Sequence, residues 1–209
     1  MDKFEIQRKS LIEELEQDGI KDKKVLDAIL KIPRHLFVQK EFVDQAYFNY
    51  PLPILSSQTI SQPYTVAFML ESLELKENDK VFEIGTGSGW NACLIAEICK
   101  KGKVITTEII PSLAEFAKKN IKKFNFKNIK ILNIDGSKGY KKEAPFDKII
   151  ITAAASKIPE ILLKQLKNNG ILVAPIGSEF SQSMIKIKKK DGKIIKENLG
   201  EFIFVPLTH

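Results

Sequence analysis

Between residues 80 and 175 the chain alternates short apolar runs with stretches of helical spacing, and this rhythm restricts the fold more than any other feature. Runs at 80–84, 103–107, 129–134, 148–152 and 171–175 suit strands, and the apolar spacing at 92–99, 112–124 and 158–166 suits helices between them. Strands joined through helices run parallel, because a parallel pair needs a long crossover. The rhythm therefore predicts an open, mostly parallel sheet with helices on both faces. The flanks read differently. Leu11, Ile12 and Leu15 form one helical stripe that stops at Gly19, and Val25, Ala28 and Ile29 form another ahead of Pro33. Two prolines in Tyr50-Pro51-Leu52-Pro53-Ile54-Leu55 forbid a regular helix, so an ordered, extended loop is expected before a further helix over 63–75. At the other end, runs at 184–188 and 194–205 around Asp191-Gly192 predict a hairpin and an antiparallel edge.

The chain has 209 residues, 44% hydrophobic and 28% charged, enough for one substantial core, and the expectation is a single domain over 1–209. Residues 1–62 read as a helical prelude and loop, and 63–209 as the sheet core with its hairpin. No apolar run approaches the roughly 18 to 20 residues of a membrane span, and the start lacks a signal peptide's apolar centre, which points to the cytoplasm. Cys93 and Cys99 have neither metal-motif nor disulfide-framework spacing and read as reduced core residues. A net charge of +7 raises the question of nucleic acid. Arg8 and Arg34 are the only arginines, however, and the lysine runs alternate with apolar positions as exposed faces do, which favours a solvated surface.

The first strand breaks at Gly85-Thr86-Gly87-Ser88-Gly89 into a turn ahead of a helix, where glycines permit a tight bend and close approach to a ligand. Glu108 ends the next strand about 20 residues on, placed to accept the hydroxyls of a ribose, and Asp135-Gly136 follows the third, placed to hold an adenine edge. A dinucleotide fingerprint wants glycine where Trp90 stands. The Gly85-x-Gly87-x-Gly89 spacing instead resembles the S-adenosyl-L-methionine loop of class I methyltransferases. The acceptor must be sought elsewhere, since fold and cofactor do not fix it. Ser56-Ser57-Gln58-Thr59-Ile60-Ser61-Gln62-Pro63-Tyr64 clusters neutral donors suited to an anionic or peptide-like ligand. Helix capping by Ser61, with Pro63 in the first turn, accounts for the same residues equally well.

Further blocks are Ile32-Pro33-Arg34-His35-Leu36-Phe37-Val38, Pro51-Leu52-Pro53-Ile54, Gln58-Thr59-Ile60-Ser61-Gln62-Pro63, Ala144-Pro145-Phe146-Asp147, Gly170 to Gly177 and Phe204-Val205-Pro206-Leu207. With the glycine turn and Asp135-Gly136, they span nearly the whole chain in order and resemble the protein-L-isoaspartate O-methyltransferase family. The resemblance implies a class I S-adenosylmethionine-dependent methyltransferase fold, α/β and Rossmann-like, with an N-terminal helical extension and antiparallel C-terminal edge. It implies S-adenosyl-L-methionine as cofactor, leaving as S-adenosyl-L-homocysteine, and no metal. It assigns Ser61 to the active site, and Thr59, Ile60, Ile54 and Val205 to substrate. Glu83, Gly85, Thr86, Gly87, Ser88, Gly89, Glu108, Asp135 and Gly136 fall to the cofactor. The Val205-Pro206-Leu207 segment is expected to fold back toward the cleft. Damaged, isoaspartyl-containing proteins and peptides are the implied partners, with no nucleic acid or membrane, and the protein is expected to be a monomer.

Two departures concern the loop: Leu55 and Ser57 stand where the family usually has glycine, and Asn49 where it usually has an acidic residue. The lost glycine freedom is expected to narrow or stiffen the loop. The implied reaction esterifies the free α-carboxylate of an isoaspartyl residue, and the ester recloses to succinimide and reopens partly to aspartate. A carboxylate with reference pKa near 4 is already ionised at pH 7, so no general base is needed. His35 and His209 are the only histidines, and His35 reads as structural. One alternative is a paralogue acting on a different carboxylate. The other is a nucleic-acid methyltransferase or binding protein, against which stands Thr152-Ala153-Ala154-Ala155 in place of an Asn-Pro-Pro-Tyr-type loop.

Overall fold

The computed structural model describes residues 2–178 and 180–207, so His209 lies outside the described residues. Two helices open the chain, α1 (Lys3–Gln17) and α2 (Lys23–Lys31). The buried stripe of α1 is Leu11 and Leu15, and Gly19, at φ 101°, takes the left-handed turn that ends it. Asp22 caps α2 by accepting the Lys24 N–H at 2.9 Å, and the helix stops just before Ile32-Pro33. Residues 34–36 and 40–45 form short 3₁₀ turns.

The proline-rich loop is more regular than its sequence suggests. β1 (Leu52–Pro53) and β2 (Thr59–Ile60) pair antiparallel, with Leu52 opposite Ile60 and Pro53 opposite Thr59. Pro53 is tolerated because a two-strand ribbon leaves one edge of each strand unpaired. Helix α3 (Pro63–Ser72) follows.

The core then runs β3 (Lys80–Ile84), α4 (Trp90–Ile98), β4 (Lys103–Thr107), α5 (Pro111–Ile121), β5 (Ile129–Leu132), β6 (Phe146–Ile151), α6 (Glu160–Gln165), β7 (Leu166–Gly177), β8 (Gln182–Lys190) and β9 (Lys193–Phe202). The seven-stranded sheet has the order β5-β4-β3-β6-β7-β8-β9, parallel through β7 and antiparallel for the last two pairings. The predicted Asp191-Gly192 hairpin is present, both residues taking positive φ as a tight turn requires. Strand order reverses at β3, which lies between β4 and β6. Ile84 is level with Thr107 on one side and Ile151 on the other, so the chain leaves all three strands side by side. Ligands of such sheets bind at this reversal.

Several boundaries differ from expectation, three of them near the site or its sheet. β7 begins at Leu166, inside the predicted sixth helix; β5 ends at Leu132, freeing Asn133 to Asp135; and β9 ends at Phe202, freeing residues 203–207. Each freed segment contributes to the site described below. One contiguous core extends from Leu11 to Phe204 and includes nearly all of α4, whose neighbours are α2, α5 and β4. Within the sheet, Phe82 and Phe146 stack at 4.8 Å between ring centres. Both are fully buried, and each such side chain contributes about 2 to 3 kcal/mol through burial.

Candidate active site

A cleft opens over the carboxyl ends of β3, β4 and β6, where Ile84, Thr107 and Thr152 line it. Its floor is the glycine turn. Gly85, Gly87 and Gly89 have φ of 98°, 53° and 87°, which L side chains rarely adopt. A Cβ on Gly85 would overlap the Thr152 hydroxyl, which donates to the Gly85 carbonyl at 2.7 Å, and one on Gly136 would overlap the Thr107 hydroxyl. These glycines keep the floor close to the strand ends and leave the space above it free.

Glu108 holds the floor to its wall. One carboxylate oxygen accepts the Gly87 N–H at 2.9 Å and the other the Ile110 N–H at 3.0 Å, joining the turn to the start of α5. Each oxygen keeps a lone pair for a hydroxyl in the cleft. Asp135 is also divided: Oδ1 accepts the Ser137 N–H and hydroxyl at 3.0 and 2.6 Å, while Oδ2 is buried without a hydrogen-bond partner, 3.2 Å from the Lys138 ammonium. These contacts hold the Asp135 carboxyl below the usual range against the opposing effect of its burial. A diol acceptor beside the turn and an acceptor at Asp135 suit an adenosyl group, and the apolar side chains of Ile109, Ile110, Leu113 and Ile134 line the same cleft.

Across the cleft stand Thr59, Ile60 and Ser61. The Ser61 hydroxyl makes no hydrogen bond among the described residues, and Ser61 is not the cap of α3. Gln62 occupies that position, and the Tyr64 N–H is taken at 2.9 Å by Asn49 Oδ1. The capping account of Ser61 is thus corrected, because a residue 15 positions from Tyr64 does the work. Residues 203–207 close the third side as a strap: Ala154 N–H donates to the Val205 carbonyl at 2.8 Å and Leu207 N–H to the Ala154 carbonyl at 2.7 Å. Val205 therefore faces the cleft, as the fold-back expectation required.

Three other candidates lie outside the lining. Glu83 is fully buried beneath the turn, where Asn91 Nδ2 donates to its Oε1 at 2.7 Å; burial pushes its carboxyl up to about 7. Gly89 packs against α5, where a Cβ would meet Ile121 at 3.0 Å. Ile54 is buried behind Gly87, its Cδ1 lying 3.8 Å from where a Cβ would stand. Ile54 and Gly89 thus shape the site from behind. His35 is structural, stacked on Phe4 at 4.2 Å and bonded to the Tyr47 hydroxyl at 2.7 Å, and burial lowers its pKa. Trp90 is likewise fixed, its indole N–H donating to the Ile32 carbonyl at 3.1 Å.

Arg34 was missed by sequence reasoning. It is fully buried, and burial lowers its guanidinium to about 9. Nη1 donates to the Ala46 carbonyl at 2.6 Å, and Nη2 to those of Tyr50, Ser61 and Ile60 at 3.2, 3.1 and 3.5 Å. Its rarity in a lysine-rich chain was the available signal.

The model of the family described as protein-L-isoaspartate(D-aspartate) O-methyltransferase (PCMT) matches residues 6–209. A protein-L-isoaspartate O-methyltransferase of Dictyoglomus turgidum is 51% identical over 205 residues, covering 98% of this chain and 92% of its own. A second, of Archaeoglobus fulgidus, is 47% identical, covering 98% and 94%. Among solved structures, a beta-aspartate methyltransferase (PCMT) from Plasmodium falciparum in complex with S-adenosyl-L-homocysteine superposes with a TM-score of 0.86 at 32% identity, covering 96% of this chain and 98% of that one. With matches running through both the glycine floor and the acceptor loop, the chain belongs to the protein-L-isoaspartate O-methyltransferase family and has the class I S-adenosylmethionine-dependent methyltransferase fold.

Proposed function

We propose that the cleft is divided between a donor side, built from the glycine turn, Glu108 and Asp135, and an acceptor side, built from Thr59, Ile60, Ser61 and the strap. The activity is S-adenosyl-L-methionine-dependent O-methylation of the free α-carboxylate of isoaspartyl residues in damaged proteins. The observation that carries the division is that Ser61 lines one cleft together with Gly85 and Gly87, while Asn49 takes the cap of α3.

When bound, S-adenosyl-L-methionine supplies a methyl group on a sulfonium for in-line transfer and leaves as S-adenosyl-L-homocysteine. Glu108 would hold the ribose hydroxyls, Asp135 Oδ2 the adenine edge, and the Gly85 to Ser88 backbone the remainder of the cofactor. Ser61 and Thr59 donate hydrogen bonds that aim the acceptor carboxylate. The carboxylate is already ionised at neutral pH, so no side chain need take a proton. Rate comes from holding the partners aligned, worth about 7 to 11 kcal/mol in well-oriented reactions. Val205, Pro206 and Leu207 exclude water from a reaction that consumes two charges. A monomer completes this reading; work in a reducing compartment, the cytoplasm, is supported by Cys93 and Cys99, both free and buried with thiol pKa values pushed up by burial.

Two variants test the division. Ser61→Ala lowers turnover on an isoaspartyl peptide by roughly tenfold or more while cofactor affinity stays within about twofold; Glu108→Ala chiefly weakens cofactor binding. Equal losses of cofactor affinity in both contradict it.

A further inference from the structure

The Arg34 guanidinium serves three separate chain segments: the 3₁₀ region at Ala46, the loop at Tyr50 and the end of β2 at Ile60 and Ser61. In a regular strand successive carbonyls point to opposite edges. Here the consecutive carbonyls of Ile60 and Ser61 both reach Nη2, so the chain bends at that point, immediately before α3. The bend leaves the Ser61 side chain on the cleft wall. The guanidinium carbon lies over the ring of Trp90, beside the glycine turn, 5.5 Å from its centroid, a cation–π contact. Among the described residues no carboxylate pairs with Arg34, so its charge is held by backbone carbonyls and the aromatic face alone.

We propose that Arg34 is the positioning residue of the acceptor side, its buried guanidinium locking the bend at Ile60 and Ser61 that turns the Ser61 hydroxyl toward the reacting carboxylate. The proposal rests on the functional reading above. Methyl transfer neutralises the acceptor carboxylate, so a cation in direct contact would grip the ground state more strongly than the transition state. Arg34 directs its donors at its own backbone and orients the loop without gripping the acceptor. A lysine supplies one point charge with three donors and cannot span the same carbonyls as the planar fork.

The test compares Arg34→Lys and Arg34→Ala with the unaltered protein, using an isoaspartyl peptide and a separate measurement of cofactor binding. Both variants are expected to lower turnover and raise peptide KM, kcat/KM falling by about tenfold or more, with cofactor Kd within about twofold. Millimolar guanidinium chloride should restore the KM of Arg34→Ala, whereas equal urea with sodium chloride should not. An unchanged peptide KM, cofactor Kd rising in step with KM, or loss of the folded state in both variants overturns the proposal. Absence of methyl transfer by the unaltered protein overturns the functional reading itself. An active unaltered protein with an unaffected Arg34→Lys overturns only the role given to Arg34.

Discussion

Glu83 sits at the end of the central strand with one oxygen bonded to Asn91 and the other, Oε2, without a hydrogen-bond partner, and burial raises its carboxyl to about 7. Its unfolded value is near 4.3, so the folded state binds the proton more tightly. The stability this supplies is fully present below about pH 4 and is lost as pH rises through about 7, a change on the order of 3 kcal/mol. Denaturant unfolding of the cofactor-free protein at pH 5 and pH 8 should show that slope, and Glu83→Gln should flatten it; an undiminished slope in the variant contradicts the assignment. The two departures in the acceptor loop also have physical causes at this scale. Asn49 Nδ2 lies 3.1 Å from a Glu14 oxygen and 3.3 Å from one of Asp18, where the usual acidic residue would set three carboxylates together. The amide caps α3 through Oδ1 and relieves that repulsion through Nδ2. Ser56 and Ser57 take φ of 58° and 55°, so the second serine accepts a conformation that glycine adopts without strain.

At the scale of elements, the strap over 203–207 is held by the two Ala154 bonds and by a buried side chain, Gln182. Gln182 is fully buried at the start of β8; its Oε1 accepts the Phe204 N–H at 2.7 Å and its Nε2 donates to the Ser178 carbonyl. Gln182→Leu leaves both backbone groups unpaired, which costs about 1 to 3 kcal/mol each. Thermal melting should fall by several degrees and peptide KM should rise more than cofactor Kd, since Val205 stands on the acceptor side; a rise confined to cofactor Kd contradicts this placement. Elements of this kind mark where sequence reading succeeds and stops. The glycine turn, Glu108 and Asp135 were legible because each follows a strand whose apolar run fixes its place at the sheet's carboxyl edge. The Asp191-Gly192 hairpin was legible from its turn chemistry. Arg34, Asn49 and Gln182 were not, because the bonds that give them their roles, to Ala46, Glu14 and Phe204, cross 12, 35 and 22 positions and leave no local period. Glu83 lies two residues before the glycine turn yet is fully buried outside the cleft lining, a distinction that only the packed sheet makes.

For the whole molecule, strand order does the positioning. With β3 between β4 and β6 and the three carboxyl ends level, Gly85, Glu108 and Thr152 leave the sheet together, while α3 and the strap bring the acceptor side over them from opposite ends of the chain. The excess lysine is spread over the surface, in pairs such as Lys31 with Glu97, Lys103 with Glu143 and Lys186 with Glu74. Exposed pairs of this sort contribute little to stability, and they fit a solvated surface. The central claim is that this shared cleft reads an isoaspartyl carboxylate. Its most direct test is methyl transfer from labelled S-adenosyl-L-methionine to two peptides identical except for an isoaspartyl or aspartyl residue at one position. The account predicts kcat/KM higher for the isoaspartyl peptide by roughly a hundredfold or more, with the label in a base-labile ester. Equal labelling of the two peptides, or labelling of neither, would contradict it.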